Sequence, residues 1–366
     1  MTATLRVMLD QLVAPTDPDL QLASTELTLG LIAGTPDGCE VEGITPARTT
    51  VDVPGLTGVR RAGLARRELA AAVQLGLSTG IGGGMIHSPT LFAPLVKHDR
   101  VHAHDQTVVT VWDLGPWESP GELPKAALGW HRAMLKRAAK YADAVVVPTH
   151  AMARRLTEHA GLGERIRVIA GAAPSGFAVP RDEIGRRRSM DLPEGFILLA
   201  ACVGDADPLS LGLAAIGASG IDLPVVVIGA GEGEEPAIAD VAAAAGIPER
   251  SLHVRGSLAT EDRAAVFGGA VAFLAPSQRS TLPWRVLEAL ALGVPVVAAS
   301  SPVHDEVIVD GGMLVDGSAD ALAAGLAEAL GSTSAAQRLA VLAADRGRAF
   351  SWRESADRVW QLHAEL

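Results

Sequence analysis

The chain has 366 residues, 48% of them hydrophobic and 20% charged, with 39 glycines and a formal net charge of −11. That length is long for one hydrophobic core and comfortable for two domains. The acidic balance argues against nucleic acid as a partner and against a broadly basic membrane face. Short basic runs (Arg60-Arg61, Arg66-Arg67, Lys136-Arg137 and Arg186 to Arg188) read first as solvated faces, although each could touch a phosphate or an anionic surface. Cys39 and Cys202 are too few for a disulfide framework. No basic-then-apolar leader opens the chain and no apolar run reaches ~18 residues. The expectation is a cytoplasmic protein whose membrane contact is at most peripheral.

In chain order, Leu5 to Leu9 reads as a strand, Glu26 to Ala33 as a helix, Cys39 to Ile44 as a strand and Arg66 to Leu77 as an Ala-rich helix. Gly80 to Gly84 could cradle a phosphate, but it lacks the G-x-G-x-x-G spacing and a following helix, which favours a plain turn. Thr107 to Val111 is a β-branched strand, and Trp112-Asp113 follows at its carboxyl end, where open α/β sheets place ligands. Leu123 to Ala142 reads as a helix, Ala144 to Val147 as a strand, and Ala151 to Ala160 as a helix capped by Thr149. A strand at Arg167 to Ile169 completes residues 1–172. Residues 173–195, rich in Pro, Gly and Arg, read as a linker. From 196 to 348 the rhythm repeats, with strands at Phe196, Pro224, Leu252, Val271, Pro295 and Met313 and helices between them. Two alternating βα halves predict an α/β protein of two doubly wound, Rossmann-like domains facing each other across a cleft. Residues 349–366 form a last helix, and Ser351-Trp-Arg-Glu354 has the form of a capping box.

The most informative stretch runs from Ala275-Pro-Ser to Pro295-Val-Val, where Pro283 opens a short helix and Gly293 closes it. It resembles the signature of family 4 glycosyltransferases of the GT-B class, P-S-x-x-E-G-F-G-L-P-x-L-E-A-x-A-x-G-x-P-V-V. Glu306-Val-Ile-Val-Asp-Gly-Gly resembles the segment that follows it there, and most of the chain can be laid on that family. The resemblance, closest to retaining, mannosyltransferase-like members, implies a hexose moved from a nucleotide-sugar to a glycan or lipid-linked acceptor without a metal or other cofactor. It also implies a donor site in the second domain, an acceptor site mostly in the first, and a last helix that crosses back onto the first.

Laid on that pattern residue by residue, Glu288 matches the carboxylate that accepts from ribose hydroxyls. Ser277, Thr281, Gly204, Gly229 and Glu306 fall at donor-binding positions, and His87 and His304 at positions lining the cleft. Several positions depart from the family. Ser280 stands where the first Glu of the pair belongs, and Thr281-Leu-Pro283 replaces a Gly-Phe-Gly backbone cradle. Val109-Thr-Val-Trp112-Asp113 carries Trp where a His lines the reaction centre, and Trp cannot relay a proton. Ala14 to Leu20 holds no Gly where an acceptor loop is Gly-rich. No Lys or Arg lies between Arg188 and Arg250, so the diphosphate lacks its usual basic pair. Arg279 or Arg285 could substitute. Asp205 and Asp207 are weak candidates for a metal ion. Two readings therefore stand side by side, an active transferase and a catalytically silent relative serving as partner or binding subunit of an active one. A homodimer is compatible with either, and no feature favours an epimerase of similar fold.

Overall fold

The computed structural model describes residues 2–77, 79–101, 103–201 and 206–366. They form two compact units, one of Met1–Gly171, Ser280–Leu282 and Ser351–Leu366, the other of Ala172–Arg279 and Pro283–Phe350. Each is built on one parallel sheet covered by helices, as the alternating pattern predicts.

In the first unit the strands are β1 (Ala3–Met8), β2 (Cys39–Thr45), β3 (Gly58–Arg61), β4 (Met85–Ser88), β5 (Gln106–Thr110), β6 (Ala144–Val147) and β7 (Ile166–Val168). Their order is β3-β2-β1-β4-β5-β6-β7, with every pairing parallel. Strand order reverses between β1 and β4, where Val7 pairs with Gly43 on one side and His87 on the other. Such a reversal opens a crevice at the carboxyl ends of the strands. Two of these strands escape the sequence reading. β3 is an edge strand carrying Arg60 and Arg61, so it has no apolar signature, and the four-residue β4 hides behind the glycine run. That run is a turn, with Gly80, Gly82 and Gly84 at φ 72, 82 and 95. Its Gly84 N–H donates to Asp105 Oδ1 at 2.5 Å, so Asp105 already satisfies that donor.

The Gly-free Ala14 to Leu20 segment runs through a short bend at 14–17 into a helix, Pro18–Ala33. Asp17 accepts from the Asp19 and Leu20 N–H groups, and Pro18 supplies the preset first turn. The last helix, Trp352–Glu365, packs on this one inside the first unit. Gly30 permits the close approach, since a Cβ there would sit 3.0 Å from the Trp352 carbonyl oxygen. Trp360 Nε1 donates to Leu31 O at 3.0 Å and Ser355 Oγ to Ala170 O at 2.6 Å. The expected capping box does not form. The Ser351 side chain makes no cap bond, and Glu354 pairs with Arg358 at 2.5 Å instead.

The second unit holds β8 (Phe196–Ala200), β9 (Val225–Ile228), β10 (Leu252–Val254), β11 (Ala270–Ala275), β12 (Val296–Ala299) and β13 (Met313–Val315), in the order β10-β9-β8-β11-β12-β13. The reversal here lies between β8 and β11. Ile197, Leu199, Val227, Leu274 and Val297 centre one core beneath helices Ala206–Ala218 and Ala319–Leu330. The stretch read as linker contains a helix, Glu183–Ser189, against helix Thr260–Gly269. Its arginines find acids: Arg186 pairs with Asp182, Glu261 and Asp262, and Arg187 with Glu183. No apolar stripe announces it, so composition alone reads as linker. Among the described residues no helix is long and apolar enough to cross a membrane.

Candidate functional site

The signature stretch follows β11 at the strand-order reversal of the second unit. Helix Trp284–Leu292 begins after Pro283 and ends at Gly293, whose φ of 66 is the left-handed cap that glycine adopts freely. Its inward face buries Val286, Leu287, Ala289 and Leu290, and Glu288 with them at 1% exposure. A buried carboxylate needs compensation, and Arg263 from helix Thr260–Gly269 supplies it. Arg263 Nε lies 2.8 and 2.9 Å from the two Glu288 oxygens, and its Nη2 is 2.8 Å from Oε1. Arg285 Nη1 approaches Oε2 at 2.6 Å. A carboxylate offers about four acceptor positions; Arg263 fills part of them by hydrogen bonds, while Arg285 Nη1 lies within ion-pair distance without forming a hydrogen bond. Arg263 is itself fixed by a bond to Leu258 O at 3.0 Å and lies 5.9 Å from the Phe177 ring centroid. Nothing in the sequence singles out Arg263, which lies 25 residues before its partner on a different helix.

The residues just before that helix divide between the units. Ser277 Oγ accepts weakly from Arg279 N at 3.5 Å. Ser280, Thr281 and Leu282 belong to the first unit, where Thr281 forms an antiparallel bridge with Asp113. The Leu114 N–H donates to Ser280 O and the Leu282 N–H to Trp112 O, both at 3.0 Å, while Thr281 Oγ1 donates to Trp112 O at 3.3 Å. Pro283 has no N–H and that of Leu282 is engaged, so two backbone donors of the family's cradle are unavailable here.

Other predicted positions are also occupied by the fold. The Gly229 N–H donates to Gly256 O at 3.1 Å, and its φ of 78 explains the glycine. His304 is 4% exposed, its Nδ1 donates to Ala299 O at 2.8 Å, and burial lowers its pKa. Glu306 lies on the same short helix, Pro302–Ile308, and its backbone carbonyl accepts from Arg346 at 2.8 Å. Gly204 and Asp205 lie outside the described residues, as does the side chain of Asp207.

In the first unit Trp112 is buried rather than presented to a ligand. Its Nε1 donates to Pro89 O at 2.7 Å and its ring meets Trp352 edge-on, centroids 6.1 Å apart. Asp113 Oδ1 accepts from Gly115 N at 2.8 Å, a local turn. His87 is fully buried on β4, its Nδ1 3.4 Å from His363 Nε2, and His363 Nδ1 donates to Gln106 Oε1 at 2.9 Å. Asp10 was not anticipated. It follows β1 at the first unit's reversal, 1% exposed, 2.8 Å from Gln11 Nε2 and 3.5 Å from Arg66 Nη2. Burial pushes its pKa up to about 6 against the pull of Arg66. A lone Asp after an apolar strand carries no sequence signal of burial, because only the turn into the following helix carries it inward.

Comparison with known proteins matches a glycosyltransferase family model to each half. The model described as Glycosyltransferase Family 4 matches residues 35–172, and that described as Glycosyl transferases group 1 matches residues 212–332. No curated protein sequence matches the chain. Among solved structures, sucrose-phosphate synthase from Thermosynechococcus elongatus is 18% identical over 99% of this chain and 98% of its own, with a TM-score of 0.73. Anabaena Alr3699/HepE, solved with UDP and glucose, is 15% identical over 100% of both chains, TM-score 0.72. A structure described as trehalose-6-phosphate from E. coli bound with UDP-2-fluoro glucose is 12% identical over 100% of this chain and 99% of that one, TM-score 0.67. At such identities the likeness is one of fold. With family models lying over both units, and a shared fold along the whole length, the chain belongs to the family 4 glycosyltransferases of the GT-B class.

Proposed function

We propose that this chain transfers a hexose from a nucleotide-sugar to a glycan or lipid-linked acceptor, with retention, and that Arg285 and Arg263 replace the missing basic pair. The observation that carries the reading is the pair of guanidiniums flanking Glu288 where β11 leads into helix Trp284–Leu292. A ribose diphosphate needs a carboxylate for hydroxyls and cations for phosphate, and this cluster holds both kinds of group. With Arg263 bonded to both Glu288 oxygens, a ribose hydroxyl would donate to the acceptor positions that remain while Arg285 turns to the incoming phosphate. Arg285, whose Nη1 lies in ion-pair range of Glu288 without a hydrogen bond to it, is the one we assign to the phosphate. Two guanidiniums can balance the charge of a diphosphate in place of a divalent ion, so the reaction as proposed runs without metal, and chelation by EDTA leaves its rate unchanged. Several similar structures were solved with UDP or a UDP-sugar, which makes UDP the first nucleotide to try.

The test is calorimetric titration with UDP, GDP and ADP. Micromolar binding of one of them, weakened at least about tenfold in Arg285→Gln, fits the loss of a charge-assisted phosphate contact. Absence of binding by any nucleotide at millimolar concentration overturns the reading. A second reading is then favoured by the engaged Leu282 N–H and by Trp112 in place of a proton-relaying His. In it the chain is a silent member of the family that partners an active transferase.

A further inference from the structure

The amino edge of the first sheet carries a feature that the donor and acceptor chemistry leaves unused. A cavity of about 250 Å³ opens there beside the starts of β5, β6 and β7. Asp143 stands immediately before β6 and Arg165 immediately before β7. The N–H of Thr107, second residue of β5, donates to Asp143 Oδ2 at 2.7 Å. Ligands of doubly wound sheets bind at the opposite, carboxyl edge, so this cavity is distinct from the candidate site.

Its lining is mostly basic. Lys97, Arg100, Lys140 and Arg165 face a single carboxylate, Asp143, in a chain whose net charge is −11. Asp143 is buried and already satisfied, by His98 Nε2 at 2.8 Å, Arg100 Nε at 3.3 Å and the Thr107 N–H. The His98 pKa is raised, chiefly by its bond to Asp143, with smaller help from Asp105. Arg165 is held by carbonyls, donating to Leu162 O at 3.2 Å, Ala142 O at 2.8 Å and Ala139 O at 2.5 Å. Those bonds lock its position, and no carboxylate among the described residues forms an ion pair with it. Arg100 also donates to the Leu366 carbonyl oxygen at 2.8 Å. Lys97 and Lys140 are exposed, and neither has a carboxylate partner among the described residues. Lys140 Nζ lies 5.1 Å from the Tyr141 ring centroid.

A concave surface with an excess of one sign of charge concentrates its field and draws the opposite ion. Two mobile ammonium groups beside a locked guanidinium suit the several acceptor oxygens of phosphate. The volume falls below that of pockets enclosing drug-sized ligands and matches a headgroup. We propose that this cavity binds a phosphate group, carried either by a membrane lipid or by a small phosphorylated compound in solution. The inference is independent of whether the donor site is active.

Two probes separate the sources, inorganic pyrophosphate by calorimetry and co-sedimentation with phosphatidylcholine vesicles with and without phosphatidylglycerol. Each is applied to the full chain, to the double variant Lys97→Gln/Lys140→Gln and to Arg285→Gln. Both lysines are exposed, so the double variant keeps its thermal midpoint. Binding of either probe at this cavity should weaken about tenfold in the double variant, fall with added salt, and persist in Arg285→Gln, which removes only a donor-site contribution to the pyrophosphate isotherm. Pyrophosphate binding of that kind identifies a soluble ligand, and binding confined to phosphatidylglycerol vesicles identifies a lipid headgroup. The proposal is overturned if neither probe binds. It also falls if the double variant binds as well as the parent, or if Arg285→Gln alone abolishes binding, which would place the phosphate at the donor site.

Discussion

At the scale of single residues, the two acidic side chains at the carboxyl edges of the sheets are managed in opposite ways. Glu288 is buried against two arginines, so removing a partner leaves a buried carboxyl with less compensation. Breaking such a pair commonly costs about 3–5 kcal/mol. Arg263→Ala should fall near the lower end, because Arg285 stays in place, and a urea midpoint measures it. Asp10 has a weaker partner, 3.5 Å away, and burial dominates. Its folded pKa of about 6 lies above the unfolded value of 3.8. The folded state therefore holds the proton more tightly, and the stability that this provides is lost as pH rises from about 4 through about 6. Asp10→Asn should remove this loss and raise stability at pH 7 by about 1–2 kcal/mol, part of the gain being offset by leaving Arg66 unpaired. Denaturant titrations of both proteins at pH 5 and pH 8 read the difference. Equal slopes against pH in variant and parent would mean that Asp10 titrates in the ordinary carboxyl range.

Elements show how local strain and burial are distributed. Helix Pro302–Ile308 ends at Val309, whose φ of 53 and ψ of −108 are costly for a β-branched residue. Val309 is 53% exposed, so little packing would be lost on substitution. Val309→Gly should stabilise the second unit by about 1 kcal/mol, seen as a higher thermal midpoint. The last helix, Trp352–Glu365, carries a pH dependence opposite in sign to that of Asp10. Burial lowers the His363 pKa from 6.5 to about 4, and that of His87 falls also, through burial and then the neighbouring His363. Both must stay neutral to remain packed. Stability is complete above about pH 6.5 and declines as pH falls toward 4, by about 2 kcal/mol at pH 5 for His363 alone. Protection factors of amides 352–365, with the intrinsic pH dependence of exchange divided out, should fall between pH 7 and pH 5 in the parent and much less in His363→Gln. The legible part of these elements was the buried one. β1, β5, β6 and the strands of the second sheet announce themselves by apolar and β-branched runs. β3 and helix Glu183–Ser189 do not, because edge pairing and ion pairs hold them in place of an apolar face.

For the whole molecule, the chain crosses between its units more than once. Residues 280–282 and 351–366 complete the first unit although they follow the second in sequence. Deleting 351–366 removes two tryptophans and the buried Ala356, Val359 and Leu362 from that unit. The loss should lower its unfolding midpoint by several degrees. Five of the six tryptophans (Trp112, Trp117, Trp130, Trp352 and Trp360) belong to the first unit and Trp284 to the second. In a Trp284→Phe background, tryptophan fluorescence therefore follows the first unit alone, and an unshifted midpoint on truncation would contradict this account.

The sequence by itself determined the class of fold, the family, and where the family's site departs from its pattern. Parallel strands buried on both faces must be written as apolar runs, and a helix between Pro283 and Gly293 must be written with those stops. Such information is local, and it survives without coordinates. Tertiary structure alone decided what the departures have become. Arg263 meets Glu288 across 25 residues, the Thr281 segment pairs with Asp113 across 168 positions, and Asp10 turns inward beside Arg66. A charged or polar side chain carries no period in sequence, and its role depends on which distant group neutralises it once both are buried.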